Sequence, residues 1–376
     1  MKKVLILYAS YGGGHFSAAK NIKEYIDSNY KDVEVILFDF MRYVNKAIDK
    51  ITVNMYSFIN KNIPWMWGEI YYHTQNPLFD KVFTLSNKII SYKIKNLFRK
   101  ENPDIIISTH FFAGHICSLL KKKGKITAKL ANIITDYGED PYNEWIAGHQ
   151  FIDYIFTSSF EMKNVLINKG VSSSKVFDTG IPISPKFLNK YNKTDILKDL
   201  DLIENKKTLL FFGGGEMGLG KSKTVKIFDE LARNFKNIQI IAIAGKNKEL
   251  KKVFEKISIE NNREDSIKVF GFTNRVSEFM CVSDIVITKP GGLTTTECLV
   301  SNLPIIAINP IPGQETENAE FLKKNNCAYW LKKDDNIYEV LDSIINNDEK
   351  LKLMKESTFS IAKPNSCKDI CRIIFE

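Results

Sequence analysis

Residues able to do chemistry gather in one stretch, Asp284 to Asn318. Lys289 supplies a cation, Gly291 and Gly292 let backbone approach a ligand, and Thr294 and Glu297 open a helical pattern over Thr294 to Asn302. A small-residue turn feeding a helix N-terminus is an anion site, because free N–H groups and the helix dipole point to the same place. Gln314, Glu315 and Asn318 follow a proline-fixed turn and carry the polar groups that read small hydroxylated ligands. Glu297 has two readings: it closes a capping box with Thr294, or it accepts hydrogen bonds from a ligand. A nucleotide is the ligand these groups suggest together. A second set of groups lies further upstream. His15 follows Gly12, Gly13 and Gly14 at the end of an apolar run, where a histidine faces a cleft and titrates near neutrality. Asp136 ends another such run.

These groups need strands behind them. Asp284 to Thr288 and Leu303 to Ile308 are apolar and β-branched, and each is stopped by Gly or Pro. Lys3 to Ala9, a glycine loop, a helix over Ser17 to Asn29 and a strand over Val33 to Asp39 open a doubly wound α/β sheet. Further strands are expected at Ile105–Ser108, Leu130–Thr135, Tyr154–Thr157 and Val176–Thr179. The grammar restarts at Thr208–Phe212, with Ile238–Ala244 and Ile267–Phe270 to follow. Two Rossmann-like domains facing each other would put a cleft at the carboxyl ends of both sheets. The expected division is 1–187, 188–355, and a tail over 356–376 that packs back on the first domain as a helix.

Composition supports this. The 376 residues are 44% hydrophobic and 26% charged, as in a folded two-domain protein. No apolar run reaches the roughly 18 residues that span a bilayer. The opening MKKVLILYASYGGGH imitates a signal peptide, but its apolar run is short and a glycine loop interrupts it, so a first strand and a cytoplasmic location are expected. The six cysteines lack paired spacing and read as reduced core residues, with no metal site. Net charge is +9, and residues 42–100 hold ten Lys/Arg against three Asp/Glu. That excess, interleaved with Trp65, Trp67 and other aromatics, calls for an anionic partner.

Two motifs compete. Gly215 to Ser222 satisfies the P-loop pattern, and Gly213, Gly215 and Gly218 fit a dinucleotide fingerprint. A P-loop ATPase needs an acid ending a nearby strand to hold magnesium; the candidates end in Gly245-Lys246 and Lys289 instead. The strand after Gly218 has no terminal acid for a ribose. Asp199 and Asp201 imitate a metal-binding pair but sit in a charged linker, as a solvated helix face would.

Taken together, Gly12–His15, Thr135-Asp136, Leu210–Gly220, Val269–Asn318 and the Gly180-Ile181-Pro182 turn resemble the monogalactosyldiacylglycerol synthases and processive diacylglycerol glucosyltransferases, and more distantly the MurG-type transferases. The resemblance implies a GT-B fold. It implies an inverting, metal-independent transfer of a hexose, glucose before galactose, from a UDP-sugar to diacylglycerol, with no nucleic-acid partner. A MurG-like N-acetylglucosaminyl transfer to a polyprenyl-linked acceptor is the alternative within the class, and a P-loop ATPase the alternative outside it. It makes His15 the general base, with Asp136 assisting, and Glu297 the ribose ligand. Gly14, Gly214, Gly215, Lys289, Gly291, Gly292 and Thr294 surround the diphosphate; Phe272, with Phe270, brackets the uracil; Gln314, Glu315 and Asn318 read the sugar. Trp65 and Trp67 are expected at an anionic membrane surface, the inner face of the cell membrane, where the acceptor resides. This chain departs from those relatives just after Asp136, where Tyr137 to Pro141 stands in place of a histidine-bearing segment.

Overall fold

The structure, a computed structural model, describes residues 1–10, 13–44, 65, 68, 94–214 and 221–376. Among them are two six-stranded sheets, both wholly parallel. The first holds β1 (Lys2–Tyr8), β2 (Val33–Asp39), β3 (Ile105–Ser108), β4 (Lys129–Ile133), β5 (Tyr154–Thr157) and β6 (Val176–Asp178), in the order β2-β1-β3-β4-β5-β6. The second holds β7 (Thr208–Phe212), β8 (Gln239–Ile243), β9 (Ile267–Phe270), β10 (Ile285–Thr288), β11 (Ile305–Ala307) and β12 (Ala328–Trp330), in the order β12-β11-β10-β7-β8-β9.

Parallel strands covered on both faces are apolar throughout. Val4 to Leu7, Ile105 to Ile107 and Ile285 to Ile287 are buried accordingly. Each sheet reverses its strand order once, between β1 and β3 in the first and between β10 and β7 in the second. Ligands bind at such points, beyond the carboxyl ends of the strands. The segments that follow β1, β3, β7 and β10 are the ones that carry His15, Thr109, Gly213 and Gly291.

Element borders differ from the sequence expectation in instructive places. The helix after β10 runs Gly292–Val300, two residues earlier than Thr294. Its first turn closes when the Thr295 N–H donates to the Gly291 carbonyl at 2.8 Å. Thr294 therefore lies inside the helix, Gly291 occupies the cap, and the capping-box reading of Thr294 and Glu297 is wrong. β12 went unforeseen because Ala328–Trp330 is three residues long and lacks alternation.

The helix Asp348–Ile361 packs in the second core through Leu351 and Met354. The chain then crosses at Ala362. The last helix, Ser366–Phe375, lays Cys367, Ile370, Cys371 and Ile374 against Val4, Ile6 and Ile22 of the first domain. All six cysteines are free thiols, five of them buried. Among the described residues no helix is long and apolar enough to cross a membrane.

Candidate active site

His15 is the second residue of the helix Gly14–Asn29, which starts where β1 ends. Its Nδ1 lies 2.7 Å from the Thr109 carbonyl oxygen and 3.0 Å from Thr135 Oγ1. A carbonyl can only accept, so Nδ1 carries the proton and Nε2 carries the lone pair. No described residue bonds Nε2. The ring is half-buried, and burial outweighs the Thr109 bond to lower its pKa to about 4. At neutral pH the imidazole is thus unprotonated, with Nε2 its acceptor. His110 sets its ring edge-on to His15, centroids 4.8 Å apart. Its Nδ1 accepts from the Phe112 N–H and caps the helix Phe111–Lys122.

Asp136 does not bond His15, which corrects its assignment as the base's assistant. Its carboxylate takes a hydrogen bond from Asn318 of the other domain, and burial together with Glu315 pushes its pKa up to about 6. The residues after β4 form a seam. The Thr135 carbonyl sits where a Cβ on Gly292 would be, at 1.9 Å. The Tyr137 N–H donates to Asn318 Oδ1 at 2.6 Å. Thr296 Oγ1 donates to the Gly292 carbonyl, so the Tyr137 hydroxyl must be the donor in its 3.0 Å contact with Thr296. A Cβ on Gly138 would meet Glu317 at 2.8 Å, and Glu139 pairs with Lys324. Tyr137 is 1% exposed and its ring lies on Phe321 inside the second domain's core. The segment that departs from the relatives' pattern is therefore the joint between the domains.

Asn318 is fully engaged by protein. Besides Asp136 and Tyr137 it donates to the Pro290 carbonyl at 2.9 Å, and it is 0% exposed. Its expected contact with a sugar is not supported; it braces the seam. Lys289 Nζ lies 3.1 Å from Glu315 Oε2, which also accepts from the Ile311 N–H at 2.7 Å. Two residues expected to touch the donor thus hold each other in this structure. Gln314 begins the helix Gln314–Lys324 behind Gly313, whose φ of 93° requires glycine.

Glu297 projects from the second turn of the helix Gly292–Val300 with no hydrogen-bond partner among the described residues. Burial alone pushes its pKa up to about 8. A half-buried acid without a partner is costly unless something else completes it, and a diol supplies the two donors a carboxylate lacks. Phe272 is 69% exposed, open to a planar ligand, whereas Phe270 packs on Phe279 in the core. Gly214 takes φ 102°, and the helix following β7 begins at Lys221. β7's neighbours, β8 and β10, are followed by Ala244 and Lys289 and not by an acid, so the magnesium acid of a P-loop is missing. Gly14 opens its helix with room around it, no atom of the described residues lying within 4 Å of a Cβ placed there. Trp65 is helical and 68% exposed, and nearby Gly68 abuts Pro312 of the donor-side loop. Trp67 and Gly215 lie outside the described residues.

Sequence reasoning missed Thr109, because it acts through its backbone carbonyl. It missed Thr135 and Tyr137 because attention fell on the acid between them.

The sequence model of the monogalactosyldiacylglycerol (MGDG) synthase family matches residues 15–183, and that of the glycosyltransferase family 28 C-terminal domain matches 208–370. A processive diacylglycerol beta-glucosyltransferase of Bacillus cereus (strain G9842) is 32% identical, covering 96% of this chain and 90% of that protein. Its counterpart in Bacillus thuringiensis (strain Al Hakam) is 31% identical, covering 100% and 93%. Among solved structures, Acinetobacter baumannii MurG has a TM-score of 0.66 at 13% identity, covering 100% of this chain and 99% of MurG. An S. aureus MnaA–UDP co-structure has 0.64 at 14% identity, covering 100% and 96%. At such identities the structures establish the fold, GT-B. Relatives above 30% identity along nearly the whole length establish more: the chain belongs to the family of the MGDG synthases and processive diacylglycerol beta-glucosyltransferases.

Proposed function

We propose that this protein is a hexosyltransferase that moves a sugar from a UDP-hexose to the hydroxyl of diacylglycerol. The names of the relatives support diacylglycerol as acceptor and glucose ahead of galactose as the sugar. The observation that carries the chemistry is the His15 ring: Nδ1–H is tied to the Thr109 carbonyl and Nε2 is left as a base on the cleft. Nε2 takes the acceptor proton as the acceptor oxygen attacks the anomeric carbon from the face opposite UDP, which gives a β-glycoside. The departing diphosphate is met by the N-terminus of the helix Gly292–Val300, by backbone at Gly213 and Gly214, and by Lys289 once it exchanges Glu315 for phosphate. Glu297 accepts from the ribose hydroxyls, Phe272 covers the base, and Gln314 with Glu315 reads the sugar.

The cationic excess of residues 42–100 and exposed Trp65 support peripheral docking on anionic lipid. A MurG-like transfer has weaker support, since the MurG likeness is one of fold alone. The test is turnover of UDP-glucose, UDP-galactose and UDP-N-acetylglucosamine with vesicles containing diacylglycerol and anionic lipid. Hexosyl diacylglycerol should form from one of the first two and vanish in His15→Ala. Failure to turn over any UDP-hexose would reject the reading.

A further inference from the structure

Among the described residues no carboxylate stands behind the general base of this site. Its Nδ1 proton faces two neutral oxygens, the Thr109 carbonyl at 2.7 Å and Thr135 Oγ1 at 3.0 Å. Thr109 is itself tied to the histidine backbone, its hydroxyl donating to the His15 carbonyl at 2.9 Å. Those contacts belong to one domain. Thr135 is different: it is 6% exposed, its hydroxyl touches His15, and its carbonyl lies against Gly292 of the other domain so closely that no Cβ fits between. Asp136 and Tyr137, the next two residues, are held by Asn318, whose amide also bonds the Pro290 carbonyl just before that glycine. Gly292 opens the helix that bears Glu297.

We propose that Thr135 is a positioning residue that makes the orientation of His15 depend on docking of the donor domain. One hydrogen bond from Nδ1 to the Thr109 carbonyl leaves the imidazole free to tilt about that bond. The second oxygen, on a different strand end, defines the ring plane and aims Nε2. Because the Thr135 backbone is seated by Gly292 and Asn318, that second oxygen is in place when the helix Gly292–Val300 is seated. The base is then aimed when the donor's helix is home. This inference rests on His15 being the base of the proposed transfer.

The test compares Thr135→Val, which keeps shape and removes the hydroxyl, with Thr135→Ser, which keeps the hydroxyl. UDP-hexose turnover on diacylglycerol vesicles gives kcat and KM, and NMR of nitrogen-labelled histidine reports the His15 Nδ1–H resonance, with His15→Ala identifying the signal. Thr135→Val should lower kcat roughly 10- to 100-fold with the donor KM within about twofold, and the His15 Nδ1–H resonance should shift and broaden as the ring loses its fixed plane, the proton staying on Nδ1. Thr135→Ser should restore kcat to within about threefold of wild type and return the wild-type Nδ1–H resonance. If the valine variant is unfolded by circular dichroism, Thr135→Ala takes its place with the same two readouts. Wild-type kcat and an unchanged Nδ1–H resonance in the hydroxyl-free variant, with His15→Ala inactive, would overturn the positioning role and leave the proposed function standing. Full activity in His15→Ala would instead overturn the function on which it rests.

Discussion

The carbonyl oxygen of Thr135 occupies the space that a Cβ on Gly292 would need, 1.9 Å away. The glycine had an obvious explanation in sequence, close approach of backbone to a diphosphate. The structure gives it a second one, close approach of one domain to the other. The backbone oxygen cannot rotate aside as a flexible side chain would. Gly292→Ala is therefore expected to hold the domains apart and to lower kcat/KM by roughly 10²-fold or more, while each domain's core stays intact. Steady-state turnover beside a circular dichroism spectrum checks this; wild-type turnover would mean that the seam is looser than described.

Glu297 gives a pH-dependent signature. Its folded-state pKa, about 8, lies above the ordinary value of 4.5, so the folded protein holds this proton more tightly than the unfolded chain does. Stability from this group is fully present below pH 4.5 and is lost as pH rises through about 8. Glu297→Gln has no acid to ionise. Its melting temperature, measured without ligand, should match wild type near pH 5 and exceed it at pH 8.

The same acid should bind UDP-glucose in its ionised form, since a carboxylate is the better acceptor for two ribose hydroxyls. Affinity of the wild type is expected to rise between pH 6.5 and pH 8.5, with proton release visible by calorimetry in buffers of different ionisation enthalpy. Glu297→Gln should bind roughly tenfold more weakly or worse and show no such pH dependence.

His15 behaves oppositely. Burial lowers its pKa to about 4, so the base stays unprotonated well below neutrality. The acid limb of kcat/KM attributable to His15 should appear as pH approaches 4, not near the ordinary histidine value of 6.5. His15→Ala is expected to lose roughly 10²- to 10⁴-fold in kcat at neutral pH with UDP binding retained.

Lys221 separates the transferase from the P-loop reading. It begins the helix after β7, yet neither neighbouring strand ends in an acid able to hold magnesium. Lys221→Ala should reduce hexosyl transfer only modestly. Loss of all turnover in that variant, with His15→Ala and Glu297→Ala still active, would restore the nucleotidase interpretation.

Much of this architecture is legible in the sequence, because its strands are uninterrupted apolar runs and its loops are punctuated by glycine and proline. Val4 to Leu7 and Ile285 to Ile287 could only be buried strands, and the polar residues that follow them had to lie at the carboxyl edge of a sheet. The sequence also singled out Glu297, an acid beside an anion site with a capping box as its other reading, and His15, a histidine after a glycine loop; the resemblance to a family supplied the role of each. Local pattern cannot specify which partners meet across the cleft. Asp136 looked like the partner of His15 because the two share a sheet edge; in three dimensions Asn318, 182 positions later, reaches Asp136, and Thr135 reaches the histidine. Asn318 looked like a sugar ligand because it is polar and near a turn, but burial at the seam satisfies its amide with Pro290, Asp136 and Tyr137. Tyr137 looked like a departure from a pattern and is the anchor of one domain in the other. Strand periodicity is written in neighbouring residues, so the chain carries it openly. The orientation of the base and the joint between the domains arise from contacts between residues far apart in sequence, and only the folded chain brings those together.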